Sequence, residues 1–198
     1  HIGLRDELDG LAWVGADYVA DRAEVVRHLA ALGHRRIVLV REDDDAPSST
    51  DREHGFRTAL AAHAGPHAAD GPAAVVRTAH PEQHITAAWV RDRLAEGVTA
   101  FVAEETDTGA AWRALHTAVA AAGLAAPDDV SLALLGSPPA DLAAARPPTG
   151  FDIPRADLGA AAVRLLIAQL SGREHTEPLV ACAFRPGTTA GPPPDPAD

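Results

Sequence analysis

The chain has 198 residues, 46% of them hydrophobic, enough to bury a sizeable core in one domain or two small lobes; no stretch approaches the roughly 20 apolar residues that a membrane span requires. Its 28 acidic residues outnumber 17 basic ones, for a formal net charge of −11, which argues against a surface that grips a phosphate backbone by itself. The single cysteine, Cys182, excludes an internal disulfide and reads as a small core residue in an apolar run.

Methionine, lysine and asparagine are absent, so every formal cation is an arginine. A chain without an initiating methionine is expected to be a fragment or a processed form. The lack of lysine removes Walker-loop and Schiff-base chemistry. No Gly-x-Ser-x-Gly elbow, paired-cysteine zinc site or Gly-x-Gly-x-x-Gly turn occurs, so a role other than an enzyme is expected and no cofactor is implied. His1-Ile2-Gly3-Leu4-Arg5-Asp6-Glu7 is not a basic segment leading into an apolar one; no secretory signal is visible, and the reading is cytoplasmic.

From the N-terminus, an apolar strand is predicted over 12–16, ending at Asp17. A helix follows over 21–32, in which Val25, Val26, Leu29 and Leu32 share one face and Gly33 supplies the stop. Residues 36–40 read as a buried parallel strand. The acidic loop Glu42-Asp43-Asp44-Asp45 and the polar Ser48-Ser49-Thr50 then precede a helix over 51–63, ended by Gly65-Pro66. Residues 75–76 form a short strand, and Pro81 suits the first turn of a helix running toward Leu94, closed by Gly97. A strand over 98–103, a helix over 106–122 ended by Gly123, and a strand over 130–135 come next. Residues 136–150 have loop composition. A helix from Pro154 to Gly172 and a strand over 179–184 lead to a tail with Pro192-Pro193-Pro194, expected to be disordered.

Strands alternating with helices of these lengths predict an α/β sandwich with a mostly parallel sheet. Ligands of such sheets sit beyond the carboxyl ends of the strands, so the loops after Val40, Ala103 and Leu135 are the places for a site.

The stretch Val25-Val26-Arg27-His28-Leu29 through Leu32-Gly33-His34-Arg35-Arg36-Ile37, followed by Arg52-x-x-Gly55-Phe56, resembles the effector-binding domain of lactose/galactose-repressor-type transcription regulators. Pro127-Asp128-Asp129-Val130-Ser131, Pro147-Pro148-Thr149, Pro154-Arg155-Ala156-Asp157-Leu158-Gly159 and Phe184-Arg185-Pro186-Gly187-Thr188-Thr189 continue it in family order. The resemblance implies a periplasmic-binding-protein-like (type I) three-layer α/β/α fold, two lobes joined by crossing strands with a small-molecule effector between them. By the same resemblance, residues 1–16 end the first lobe, 17–148 form a nearly complete second lobe, 149–185 return into the first, and 186–198 are the tail. It also implies a homodimer and a DNA-binding headpiece outside this chain, through which alone operator DNA would be bound. A solute-binding receptor of a transport system shares the fold and is the competing reading.

Arg52 matches the family arginine that holds effector hydroxyls or carboxylates, a role suited to a planar five-donor guanidinium; the alternative is a helix-start arginine paired with Asp51 or the 43–45 run. Ser48 matches a second polar contact, or is a capping serine. Glu104 stands where the family carries asparagine. As a carboxylate it would favour a donor-rich or cationic ligand, the alternative being that Glu104 and Glu105 are solvated at a helix N-terminus. Asp17, at the crossover, and Ser137, after the 130–135 strand, complete the candidate contacts. Gly136, Asp152 and Ile153 replace an aspartate, a basic residue and a glutamine habitual in sugar-binding members, which weighs against a sugar effector. His80-x-x-x-His84 has the spacing of a two-imidazole metal face, but Pro81 marks a helix start and no third ligand is apparent, so no metal is expected. Trp112 reads as a packing residue, with a dimer contact as its second reading.

Overall fold

The computed structural model describes residues 2, 12–44, 47–64, 74–104, 108–137, 146–173 and 179–194; the side chains of 18–22, 47–48, 51–52 and 64 lie outside that description. The elements are β1 (Gly15–Ala16), α1 (Tyr18–Ala31), β2 (Ile37–Glu42), α2 (Pro47–Ala64), β3 (Val75–Thr78), α3 (Pro81–His84), α4 (Ala87–Ala95), β4 (Ala100–Glu104), α5 (Ala110–Ala121), β5 (Ser131–Leu135), β6 (Thr149–Asp152), α6 (Arg155–Leu170), β7 (Leu179–Val180) and β8 (Ala183–Arg185). Six strands form one sheet in the order β3-β2-β4-β5-β6-β8. The first five run parallel, and β8 is antiparallel to β6. A separate parallel pair joins β1 to β7.

Successive side chains of a strand point to opposite faces, and a parallel sheet covered on both sides buries both sets. On one face Ile37 and Leu39 meet Val25, Leu29, Phe56 and Leu60 of α1 and α2. On the other, Val38, Val40 and Phe101 meet Val90, Leu115 and Val119 of α4 and α5. A smaller cluster of Val14, Ala16, Leu158, Ala161 and Leu165 seats α6 on the β1–β7 pair. The layering is the expected α/β/α sandwich.

Several elements depart from expectation. The helix expected from Asp51 begins at Pro47, since proline is favoured at a first helical position. The helix expected over 81–94 breaks into α3 and α4, because Thr86 is extended and its Oγ1 accepts from Trp89 N at 3.2 Å, capping a new helix. The strand expected over 179–184 is two strands. β7 pairs with β1 and β8 with β6, so the chain passes between sheets at Ala181-Cys182. β6 falls in the stretch read as loop, whose glycine and prolines masked it. Gly150 is needed there: a Cβ at that position would lie 2.2 Å from Leu134 O. Gly150→Ala is expected to cost about 1–3 kcal/mol through forced separation of β5 and β6, read as a lower urea midpoint.

Residues 186–194 correct the expectation of a disordered tail. Thr189 Oγ1 donates to Leu132 O at 2.6 Å and accepts from Thr149 N at 2.9 Å. Gly191 O accepts from His34 Nε2 at 2.9 Å and from Ser131 Oγ at 3.0 Å. His34, fully buried, also has Nδ1 2.8 Å from Thr99 Oγ1. Backbone groups of the buried strand ends need partners, and the tail supplies them. Residues 195–198 lie outside the described residues.

Candidate functional site

From β2 the chain runs through α2 to β3 on one side, then crosses back through α3 and α4 to β4 on the other side of β2. Connections that diverge in this way open a crevice at the carboxyl ends of the two strands. The ends of β2 and β4 carry Arg41, Glu42 and Glu104, and the start of α2 follows β2 by a short loop.

A charged side chain in a buried strand is tolerated only if paired and hydrogen-bonded. Arg41 is 1% exposed and Glu104 fully buried. The Arg41 guanidinium donates from Nη1 to Glu53 Oε2 at 3.2 Å, from Nη2 to Asp44 O at 2.6 Å and from Nε to Glu42 O at 3.1 Å. Its Nε also lies 3.6 Å from Glu104 Oε2. The same Glu53 carboxylate accepts from Arg57 Nε at 3.0 Å and Arg77 Nε at 2.8 Å. Three arginines thus tie α2, β2 and β3 to one carboxylate, and Arg41 extends the link to β4. At the outer edge, Thr108 Oγ1 donates to Glu42 Oε1 at 2.7 Å. The arrangement is a rigid, charge-compensated floor on which the first turns of α2 are set.

Burial alone would raise the Glu53 pKa, but hydrogen bonds from Arg77 and Arg57, the Arg77 charge and the Arg41 hydrogen bond bring it down to about 2 from 4.5. A carboxylate lowered in this way stabilises the fold above its unfolded value, and the contribution is lost as pH falls from 4.5 toward 2. His34 is lowered below 6.5 by burial, with the Gly191 hydrogen bond opposing and His28 adding to the effect. The unfolded chain therefore binds the proton first, and the His34 contribution, complete above 6.5, falls as pH drops below it. Urea unfolding across pH is expected to show acid destabilisation in two stages, the upper one reduced in His34→Gln, with His28, also lowered by burial, supplying the remainder, and the lower one absent in Glu53→Gln.

Residues 26–186 match the periplasmic binding protein-like domain family. The chain belongs to that family. The periplasmic binding protein-like fold recurs in a LacI-family transcriptional regulator from Enterococcus faecium with bound ribose, which superposes with a TM-score of 0.77 at 20% identity, over 96% of this chain and 70% of that one. A LacI transcriptional regulator from a Rhodococcus species gives 0.77 at 26% identity, over 98% and 69%. The transcription regulator CcpA of Lactococcus lactis gives 0.74 at 19%, over 96% and 68%. No curated protein sequence matches the chain. These three structures, which this periplasmic binding protein-like chain resembles, are transcription regulators.

Within this periplasmic binding protein-like frame, Arg52 and Ser48 lie on the first turns of α2, their side chains outside the described residues. Because α2 starts at Pro47, Ser48 is inside the helix, which corrects its reading as a cap. Glu104 is the last residue of β4, buried against Arg41, which corrects its reading as a solvated carboxylate; Glu105 lies outside the described residues. Asp17 stands where β1 leaves for α1, and its N donates to Val180 O at 2.9 Å. The Ser137 hydroxyl accepts from Arg155 Nη1 at 3.4 Å, bridging the loop after β5 to α6. Asp152, half exposed, pairs with Arg185, and Ile153 packs against the core. Arg41 and Glu53 were not anticipated. The signal was present: an arginine directly after Ile37-Val38-Leu39-Val40 needs a buried partner.

Proposed function

We propose that this chain is the effector-sensing domain of a DNA-binding transcription regulator. Residues 17–148 form most of its second lobe, whose sheet β6 and β8 complete, and within 149–185 the stretch from α6 to β7 is the return into the first. The observation that carries the reading is the Arg41–Glu53–Glu104 network at the carboxyl ends of β2 and β4, under the start of α2, in a chain of the periplasmic binding protein-like family. Arg52, Ser48, Glu104, Asp17 and Ser137 are the proposed contacts for a small polar effector. The Enterococcus faecium regulator holds ribose, whereas here Gly136, Asp152 and Ile153 make a different polar effector the better fit. The protein acts without enzymatic turnover, as a cytoplasmic homodimer reaching operator DNA through a headpiece outside this chain. Among the described residues no helix is long and apolar enough to cross a membrane.

A thermal-shift screen of the full-length protein against pentoses, polyols, sugar acids and amines tests this. A true effector raises the melting temperature by mass action. Arg52→Ala is expected to weaken such a ligand about tenfold or more, the worth of a charge-assisted hydrogen bond. Binding undiminished by that substitution would take Arg52 out of the site.

A further inference from the structure

A cavity of about 300 Å³ opens on the outer side of α5, bounded by Trp112, His116, Val119, Leu124, Leu132 and Arg146 among others. It lies at the amino-terminal end of β5, on the opposite edge of the sheet from the carboxyl-end crevice. Its volume is at the small end of those that hold metabolite-sized ligands, and its walls are mostly apolar, as such sites are. None of its described lining residues is acidic, in a chain of net charge −11. Arg146 brings an exposed cation, fixed by Nη1 donating to Ala126 O at 2.6 Å. Trp112, 2% exposed, carries an Nε1 that is buried and has no hydrogen-bond partner, a costly state for an indole N–H. The exposed large apolar side chains, Ile2, Val163, Leu166, Ile167, Leu170 and Leu179, all lie elsewhere, so the cavity is not the centre of an apolar docking face among the described residues.

We propose that this cavity is a second ligand site, for a small carboxylic acid with an aromatic or branched apolar body. The apolar body rests against Trp112, Val119, Leu124 and Leu132, and the carboxylate meets Arg146 at the mouth. A cation beside apolar walls, with no acidic side chain among the described lining residues and the nearby Asp129 carboxylate engaged by the Ala125 N–H at 2.8 Å, selects an acid over an amine of the same shape. The site is separate from the proposed effector crevice and does not depend on it.

The 198-residue chain is titrated with 4-phenylbutyrate, 4-phenyl-1-butanol and 4-phenylbutylamine, followed by tryptophan fluorescence and melting temperature. The acid is expected to bind saturably and to stabilise the fold, with the amine silent. Arg146→Ala, at an exposed position, is expected to weaken the acid about tenfold and leave the alcohol unchanged. Ala120→Phe, which fills the mouth from the exposed face of α5, is expected to abolish both while circular dichroism stays native. Three results would overturn the proposal: acid and amine binding alike, acid binding that survives both substitutions, or no saturable binding of the acid, which with a self-association that Ala120→Phe disperses would make the cavity a contact between copies of the chain.

Discussion

Arg41→Met is expected to lower the unfolding free energy by about 3–5 kcal/mol, the cost of leaving a buried ion pair without one partner. Arg41 is the only group whose guanidinium reaches both Glu53 and Glu104 among the described contacts. Without it Glu104 stays buried beside a thioether, and among the described residues Glu53 keeps Arg57 and Arg77. Such a loss is a large part of the roughly 5–15 kcal/mol that holds a typical domain together. Arg41→Met with Glu104→Gln is expected to recover part of it, because a neutral amide is cheaper to bury than a carboxylate that has lost its arginine neighbour. Urea denaturation of the single and double variants measures both effects. Equal stability of the two would show that the Arg41–Glu104 contact has no electrostatic weight.

Phe56→Ala is expected to cost a comparable 3–5 kcal/mol or so, as truncation of a buried aromatic does. Phe56 is fully buried between α2 and the sheet, in the cluster with Val25, Leu29, Leu39 and Leu60. Its loss opens a cavity under the helix that carries Ser48, Arg52 and Glu53, so the effect reaches the crevice as well as the core. Phe56→Leu keeps most of the volume and is expected to cost well under half as much. Thermal unfolding compares them, and hydrogen exchange of α2 is expected to quicken in Phe56→Ala before the rest of the sheet does.

The strongly periodic parts of the fold were legible in the residues. Ile37-Val38-Leu39-Val40 and Phe101-Val102-Ala103 announce strands buried on both faces, and Val25, Val26 and Leu29 announce the face of α1. The crossings were less so. A strand as short as Thr149–Asp152, with Gly150 inside it, carries no periodic signal, and only the close approach of Leu134 O explains that glycine. Likewise, nothing local in Leu179 to Arg185 says that one half pairs with β1 and the other with β6; this is a tertiary choice. At the site, the sequence pointed to groups that follow strands, while the structure adds a group inside one. Arg41 could be suspected as a charge in an apolar run, but its partner Glu53 lies twelve residues on, and separation of that kind is invisible without the fold. The tail misled by composition: Pro192-Pro193-Pro194 suggests disorder, whereas Thr189 and Gly191 just before it fasten the segment to β5 and His34.

Effector-dependent operator binding by the full-length protein tests the account most directly. With a ligand that the thermal-shift screen shows to occupy the wild-type protein, operator affinity is expected to change at least about fivefold, the lower range of allosteric coupling. Arg52→Ala is expected to bind operator as tightly as wild type in the absence of ligand and to lose that response at the same ligand concentration. An operator affinity indifferent to every ligand that demonstrably occupies the protein would contradict the sensing role, and a full response in Arg52→Ala would place the effector somewhere other than the crevice beside the start of α2.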